Sequence, residues 1–460
     1  MKSILYLLPV LFFFVSCGGD DPAPNPKPKP EPGTETTHWI EETMRENYYW
    51  YDEIPSADKL NFTQEPITFF KSLLSDKDGK NGNFYSYIEE KNSPTRAIND
   101  TNNSYGFQFI GIPLSGTVYY AVAVLYVASG SPAADANLNR CDFIVEIDGK
   151  DITRAMLYDL FSGNSKKLSI ANIDPVDGRL VMTGDIEIGP SRKIEDNPVH
   201  FHTVLRDGGR NVGYLVYNHF TNGLSSTDKT YDNRLREISK EFNSAGVNEF
   251  VLDLRYNPGG YLSCCQLMCA ILAPQSSFGK SLGYMQYNDK HRPQKEDIPL
   301  ERAILNGGEN LNLRRLYVLT SSSSASASEA VISFLKPYMQ VIVIGEQTEG
   351  KNVGSVTFPD VTGKWEMHPI VAQLFNSAGF TEYSTGFIPD YPVHEFDNDF
   401  VHFLPFGDKN EALLRVALGM MNGTPPAVNA SRSFKSEEFV SSLDRFDLPG
   451  VIIDGLDGHQ

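Results

Sequence analysis

Between residues 197 and 425, short apolar runs alternate with segments of helical spacing, and this alternation limits the fold more than any other feature. In one unit, an apolar run at Leu316–Thr320 leads into small residues over 321–328. A helical segment at Glu329–Leu335 and a second apolar run at Val341–Gly345 follow. Such a pattern predicts strands in a sheet that is covered by helices. We therefore expect an α/β core here.

The remainder of the chain predicts further domains, because 460 residues exceed what one ordinary core accommodates. Helical spacing of Ile40, Met44 and Tyr48 predicts a small helical N-terminal domain over 37–95, in which Pro66 begins a short helix through Leu74. Short strands predict a β domain over 101–192. The α/β core at 197–425 and a C-terminal extension at 426–460 complete the division. The fold class is multidomain α+β.

The N-terminus has the pattern of an export signal. Lys2 precedes an apolar run at Ile4–Val15, which is too short to span a membrane. Ser16-Cys17 then resembles a bacterial lipobox, which implies a signal peptide at 1–16 and a lipid on Cys17. A proline-rich linker at 17–36 would follow. The resemblance implies an outer-membrane lipoprotein, periplasmic or surface-exposed, that touches the membrane through its lipid anchor; a plain secretory signal is the alternative.

Charge and cysteine usage exclude several function classes. A net charge of −18 without a basic patch argues against nucleic-acid binding. Adjacent Cys264 and Cys265 could pair only in a strained disulfide, so we expect these cysteines, with Cys141 and Cys269, in the core. The nine histidines are scattered, and we expect neither a metal site nor a cofactor.

The β domain carries a recognisable peptide-binding pattern. A glycine-containing loop at Tyr105–Phe109 and the run Ser131–Ile152 resemble the PDZ domains of bacterial proteases. Such domains bind a peptide as an added strand and hold its terminal carboxylate with backbone N–H groups. The resemblance implies that Gly106 and Phe107 supply those donors. A small β domain without a ligand is the alternative.

The serine-rich turn after Leu316–Thr320 carries the chemistry. A serine at a strand-to-helix turn lies where helix N–H groups favour negative charge. The segment Ser324–Glu329, SASASE, resembles the nucleophile motif of the carboxyl-terminal processing proteases, peptidase family S41. In that family the middle serine attacks, and a lysine follows 25 residues later, as Lys351 follows Ser326 here. The resemblance implies a Ser326–Lys351 dyad in a core that is crotonase- or ClpP-like.

A second element of the family lies upstream, in VLDLRYNPGGYL at Val251–Leu262. Glycines allow a backbone to approach a substrate closely, so the N–H groups of Gly259 and Gly260, with that of Ala327, would form an oxyanion hole. One position departs from the family pattern. Many members carry a glutamine four residues after the lysine, where this chain has Ser355, and its role in orienting Lys351 stays open.

The resemblance implies a serine endopeptidase that cleaves unfolded or C-terminally exposed polypeptides through an acyl-enzyme. Lys351 would have to be neutral to accept the proton of Ser326, so burial should lower its pKa. Two alternatives stay open. One is a non-catalytic peptide-binding lipoprotein, which the substitution at Ser355 favours. The other is a crotonase-type acyl-transfer enzyme, which a secreted chain disfavours.

Overall fold

The computed structural model describes residues 34–80, 82–91, 103–174, 178–225, 227–396, 400–424, 439–445 and 451–454. The predicted signal peptide, Cys17 and most of the proline-rich linker lie outside these residues. Residues 34–36, which the sequence assigned to the linker, instead form the first turn of a helix. Among the described residues, no helix combines the length and apolar character needed to cross a bilayer.

The N-terminal unit contains two helices and one strand. They are α1 (Thr34–Asn47), α2 (Pro66–Lys71) and β1 (Tyr87–Glu90). Ile40, Met44 and Tyr48 follow one face of α1 and are fully buried, as their spacing predicts. The helical prediction for 37–95 is wrong at 87–90, because β1 pairs with a strand of the C-terminal core, Trp365–His368.

The middle unit, residues 103–193, is mainly β structure. Its elements are β2 (Asn103–Ser104), β3 (Phe107–Pro113), β4 (Tyr119–Val127), α3 (Pro132–Asp135), β5 (Phe143–Ile147), β6 (Lys150–Thr153), β7 (Lys166–Ile173), β8 (Leu180–Ile188) and β9 (Arg192–Lys193). Six of these strands form one sheet in the order β3-β4-β6-β5-β7-β8. The outer edge of β3 is paired with residues Val440–Ser441, from the end of the chain. The predicted strand at 143–147 is confirmed.

In the residues that the structure describes, the C-terminal core contains two larger sheets and four α-helices. Its strands are β10 (Val199–Asp207), β11 (Arg210–Tyr217), β12 (Glu249–Asp253), β13 (Lys280–Tyr287), β14 (Lys295–Leu300), β15 (Arg315–Thr320), β16 (Gln340–Gly345), β17 (Val353–Ser355), β18 (Phe358–Pro359), β19 (Trp365–His368), β20 (Ile370–Asn376), β21 (Tyr391–Pro392) and β23 (Val451–Ile452). One further strand, β22 (Val440–Ser441), pairs with β3 in the sheet of the middle unit. The helices of the core are α4 (Thr230–Ser244), α5 (Leu262–Leu272), α6 (Ala327–Leu335) and α7 (Leu414–Met421).

The central sheet of this core has the order β10-β11-β12-β15-β16-β21. Its last five strands, β11, β12, β15, β16 and β21, are parallel to one another. A second sheet has the order β14-β13-β20-β17-β23. Helices α5 and α6 are almost wholly buried in the apolar core that the two sheets share. The structure thus confirms the predicted α/β core, and the apolar runs at β12, β15 and β16 form neighbouring strands.

Because parallel strands end at the same edge, the turns that follow β12, β15 and β16 meet there. These three turns contain the Gly259-Gly260 pair, Ser326 and Lys351. Helix α5 buries Cys264, Cys265 and Cys269 in the core, as predicted, whereas Cys141 is half-buried.

Candidate active site

Ser326 occupies the N-cap position of α6, directly after the turn that leaves β15. Its backbone has φ 61° and ψ −115°, a conformation that residues other than glycine rarely adopt. The surrounding structure must therefore enforce it. The residue is 0% exposed, and its side chain faces the backbone N–H of Glu329 in a capping box, but its Oγ donates a hydrogen bond to none of the described residues. The hydroxyl proton of Ser326 is therefore not used in a structural hydrogen bond, unlike those of Ser324 and Ser328.

The neighbouring serines hold the turn in place. Ser324 Oγ donates to the carbonyl of Leu254 at 2.8 Å, and Ser328 Oγ donates to the carbonyl of Asn257 at 2.9 Å. Both contacts tie the turn after β15 to the turn after β12. The three serines of SASASE thus differ in role. Ser324 and Ser328 fix the backbone of the turn, whereas the hydroxyl of Ser326 donates no such hydrogen bond.

Lys351 lies on the loop between β16 and β17 and is 6% exposed. Its Nζ lies 4.9 Å from the ring centroid of Tyr85, a contact with the N-terminal unit. Lys351 lines a cavity of about 530 Å³ together with Ala325, which directly precedes Ser326, and with Pro258. The lysine, the serine turn and the glycine turn therefore border one space.

Glu329, in the first turn of α6, joins Ser326 to Lys351. Its Oε2 accepts the backbone N–H of Ser326 at 2.9 Å and that of Lys351 at 2.8 Å. Its Oε1 accepts the Thr348 hydroxyl at 2.6 Å and the N–H of Gly350 at 2.7 Å. Burial raises the pKa of Glu329 to about 7, although these four hydrogen bonds act in the opposite direction.

Glu329 is a residue that our sequence analysis missed. A signal was available, because a serine followed three residues later by glutamate has the spacing of a helix capping box. The tie from this carboxylate to the loop of Lys351 is a tertiary contact that the spacing does not reveal.

The turn after β12 brings Gly259 against the nucleophile candidate. Gly259 has φ 111°, and a Cβ there would lie 2.5 Å from Ser326 Cβ and 2.7 Å from Ser326 Oγ. At Gly260, φ is 139° and a Cβ would lie 2.1 Å from the carbonyl oxygen of Phe220. Both positions therefore exclude any side chain, which explains the Gly-Gly pair.

The predicted oxyanion donors surround Ser326, but they are not equally available. The N–H of Gly259 already donates to Asn257 Oδ1 at 2.8 Å. Ala327 is the first residue of α6, where helix N–H groups lack partners within the helix. The oxyanion role of Gly259, Gly260 and Ala327 stays a prediction.

Ser355 lies in the second sheet of the core, whereas the loop predicted to bind a peptide carboxylate lies in the middle unit. Ser355 is buried in β17, and its carbonyl accepts the N–H of Ile453 at 2.9 Å. Gly106 precedes β3 in the middle sheet, and its N–H donates to Ser104 Oγ at 3.0 Å. Phe107 is buried and paired with Val127. The roles predicted for these residues stay predictions.

A buried ionic cluster behind the glycine turn was also missed by the sequence analysis. Arg255 is 1% exposed and binds Asp253, Glu395 and Glu411, at 2.6 Å to Glu411 Oε1. Burial alone would raise the pKa of Glu411, but Arg255, Arg140 and the N–H of Leu414 together lower it below its ordinary value. Arg140, from the middle unit, reaches the same cluster through Glu395 at 2.5 Å.

Two of the histidines have threonine partners. His219 Nδ1 lies 2.9 Å from Thr221 Oγ1, and His368 Nδ1 lies 3.1 Å from Thr357 Oγ1, so both rings have structural partners. Within the described ranges, no three His, Cys, Asp or Glu side chains are grouped as a metal site would require.

Comparison with known proteins places the chain in a family. The model of "Peptidase family S41" matches residues 211–393, and that of "Peptidase S41 N-terminal domain" matches residues 35–87. Among curated relatives, a "Probable CtpA-like serine protease" of Staphylococcus aureus (strain bovine RF122 / ET3-1) is 26% identical over 231 residues, 50% of this chain and 41% of the relative. The chain thus spans well under two thirds of this relative.

A "Carboxyl-terminal-processing protease" of Synechocystis is 22% identical over 307 residues, 66% of each chain. A solved structure from Bacteroides fragilis NCTC 9343, a "Putative S41 protease", is 35% identical, with a TM-score of 0.78. That match covers 86% of this chain and 99% of the other. On this likeness over 86% of its length, the chain belongs to peptidase family S41, a family of serine-type peptidases.

Proposed function

We propose that this chain is a serine endopeptidase in which Ser326 is the nucleophile and Lys351 the general base. The observation that carries the proposal is the single oxygen, Glu329 Oε2, that accepts the backbone N–H groups of both residues. This shared acceptor holds the two residues in a fixed relation at the edge of the central sheet, beside one cavity.

The chemistry follows from these groups. Neutral Lys351 Nζ accepts the proton of Ser326 Oγ as that oxygen attacks the scissile carbonyl carbon. The developing oxyanion takes hydrogen bonds from Ala327 and the Gly259-Gly260 turn. The C–N bond then breaks, and the Lys351 ammonium returns its proton to the leaving amine. Water hydrolyses the resulting ester with Lys351 again as base. A lysine serves as a base only when neutral, and removal from water favours that form.

The proposed substrates are unfolded or C-terminally exposed polypeptides. A relative named a carboxyl-terminal-processing protease supports this class. The middle unit would act as a PDZ-like domain, in which a substrate carboxylate takes the N–H groups of Gly106 and Phe107. The carboxylate would displace Ser104 Oγ from Gly106. An amidated peptide should then be cleaved much less well than its free-acid twin, and equal cleavage would remove this role.

We also propose that Cys17 carries a lipid that anchors the protein to the outer membrane. Mass spectrometry of the mature N-terminus should find an acylated Cys17. An unmodified N-terminus at another residue would refute the anchor while leaving the peptidase proposal intact.

The test of the catalytic proposal compares the three serines of the turn. Ser326→Ala should abolish cleavage of casein and labelling by a fluorophosphonate probe. Ser324→Ala removes two structural hydrogen bonds, to the Leu254 carbonyl and from the Ser321 N–H, whereas Ser328→Ala removes one, to the Asn257 carbonyl. Each bond is worth about 1 kcal/mol, and both variants should retain measurable activity. An active Ser326→Ala enzyme would refute the assignment.

A further inference from the structure

The outer edge of β3 is occupied by the chain's own residues 439–445, here called the edge segment. Val440 pairs with Gly111 and Ser441 with Ile110, both antiparallel. Ser442 continues the pairing with its side chain, because its Oγ accepts the N–H of Phe109 at 2.8 Å. A short 3₁₀ turn then follows at Ser442–Arg445.

The direction of the edge segment is that of a bound peptide. As the segment proceeds from Val440 to Ser442, its partners on β3 proceed from Gly111 back to Phe109. It therefore runs toward the loop at Gly106. A peptide that adds a strand to β3 and ends with its carboxylate at that loop must run the same way.

The edge segment also borders the catalytic centre. Leu443 and Asp444 line the cavity of about 530 Å³ that contains Lys351. The same two residues line a second cavity, of about 870 Å³, beside Arg255. A polypeptide that extends from the edge of β3 toward Ser326 would meet the edge segment first.

The strand ladder that joins this segment to β3 is short. It covers two residues, and Ser442 adds hydrogen bonds to Phe109 and, at 2.7 Å, to Gln108 Oε1. Leu443 adds apolar contact with the core that surrounds Tyr256. A competing strand can replace a two-residue ladder, because each ladder hydrogen bond is remade with the incoming strand.

We infer that residues 439–445 are an internal ligand of the β3 edge, which competes with substrate peptides for the same strand position. One strand edge accepts one partner, so the segment and a substrate exclude each other. Because the competitor is tethered, its effective concentration is high. The apparent substrate affinity is then the intrinsic affinity multiplied by the fraction of molecules whose β3 edge is free. The inference rests on the proposed peptidase function, because a competitor of substrate requires that the chain has peptide substrates. Its test, however, measures peptide binding and not cleavage.

The binding test uses the full chain with Ser326→Ala, so that the probe is not cleaved. The probe is a fluorescein-labelled heptapeptide with the sequence of the edge segment, FVSSLDR, and a free C-terminus. Adding Ser442→Ala removes the two hydrogen bonds of this hydroxyl and should tighten probe binding roughly five- to a hundredfold by anisotropy. Thr117→Ala is the matched control, since Thr117 Oγ1 bonds Leu114 in the distant β3–β4 turn. It should leave binding unchanged.

A cross-link provides the second arm. Ile110 and Ser441 lie directly opposite, so Ile110→Cys with Ser441→Cys should form a disulfide that locks the edge segment. The oxidised protein should lose probe binding and regain it in dithiothreitol, whereas each single cysteine variant should bind throughout. Equal binding by the locked and reduced forms would overturn the inference, as would failure of every form to bind.

Casein cleavage by the wild-type chain separates the two proposals. Normal cleavage with no effect of the lock on either binding or cleavage would leave the peptidase standing and remove the internal ligand. Lock-dependent probe binding without any casein cleavage would support the internal ligand and refute the catalytic proposal.

Discussion

Glu329 holds Lys351 by its backbone, since the carboxylate Oε2 accepts the Lys351 N–H at 2.8 Å. The same oxygen holds Ser326, so one helix residue sets the position of both candidate catalytic groups. This relation makes the geometry of the site sensitive to a residue that need not touch the substrate.

Replacing Glu329 should therefore impair turnover. Glu329→Gln keeps the size of the side chain but replaces one acceptor oxygen with an NH₂ group. Two of its four donors then lose their acceptor, and kcat/KM should fall about ten- to a hundredfold. Kinetics on a fluorogenic peptide would measure this, with near-UV circular dichroism to verify folding. Activity within twofold of wild type would contradict the positioning role.

Glu329 should also give stability a pH dependence. Its folded-state pKa, raised to about 7 by burial, exceeds its ordinary value of 4.5. The folded protein thus binds the proton more tightly than the unfolded chain, and this residue's contribution to stability falls as pH rises from 4.5 to about 7. The change is on the order of 3 kcal/mol. Urea unfolding of wild type and Glu329→Gln across this range should show the slope in wild type alone; parallel curves would contradict it.

The base can be tested with a cation that holds its proton. Lys351→Arg keeps the positive charge, but guanidinium does not deprotonate in the usable pH range. Activity should fall about a hundred- to ten-thousandfold, as in Lys351→Ala. His219→Ala and His368→Ala should remain active, since these rings bond Thr221 and Thr357. An active arginine variant beside an inactive histidine variant would mean that the base is a histidine.

The glycine turn offers a matched pair of substitutions. Gly259→Ala would push a methyl group into Ser326, and a displacement of about 1 Å is enough to lower kcat about a hundredfold. Gly279 also has positive φ, +79°, but nothing lies within 4 Å of its added Cβ. Gly279→Ala should lower Tm slightly and leave kcat unchanged. Similar kcat losses in both variants would show that backbone strain, rather than contact with Ser326, is responsible.

The sequence predicted the elements whose signals are local. The strands β12, β15 and β16 are apolar runs bounded by turns, and α6 follows a turn of small residues, so these local patterns were sufficient to predict them. Ser326 and Lys351 were found because their motif and spacing resemble those of a family.

The remainder depends on distant partners. The strands β22 and β23 are two residues each, and their partners lie far away in sequence, at Gly111 and Gly354. Neither strand has a periodicity to detect. Arg140 lies in a polar turn, and no local sequence pattern predicts that its guanidinium is buried in an ion pair with Glu395. Such contacts are properties of the assembled fold.

The ion pairs of Arg140 with Glu395 and Glu411 affect how the protein unfolds. Arg140 belongs to the middle unit, whereas Glu395 and Glu411 belong to the C-terminal core, and all three are buried. If the middle unit melted first, it would withdraw this charge from the carboxylates, and breaking a buried pair costs about 3–5 kcal/mol. That coupling makes the two units one cooperative system, so calorimetry should show a single endotherm for both instead of a separate, earlier transition for the β unit.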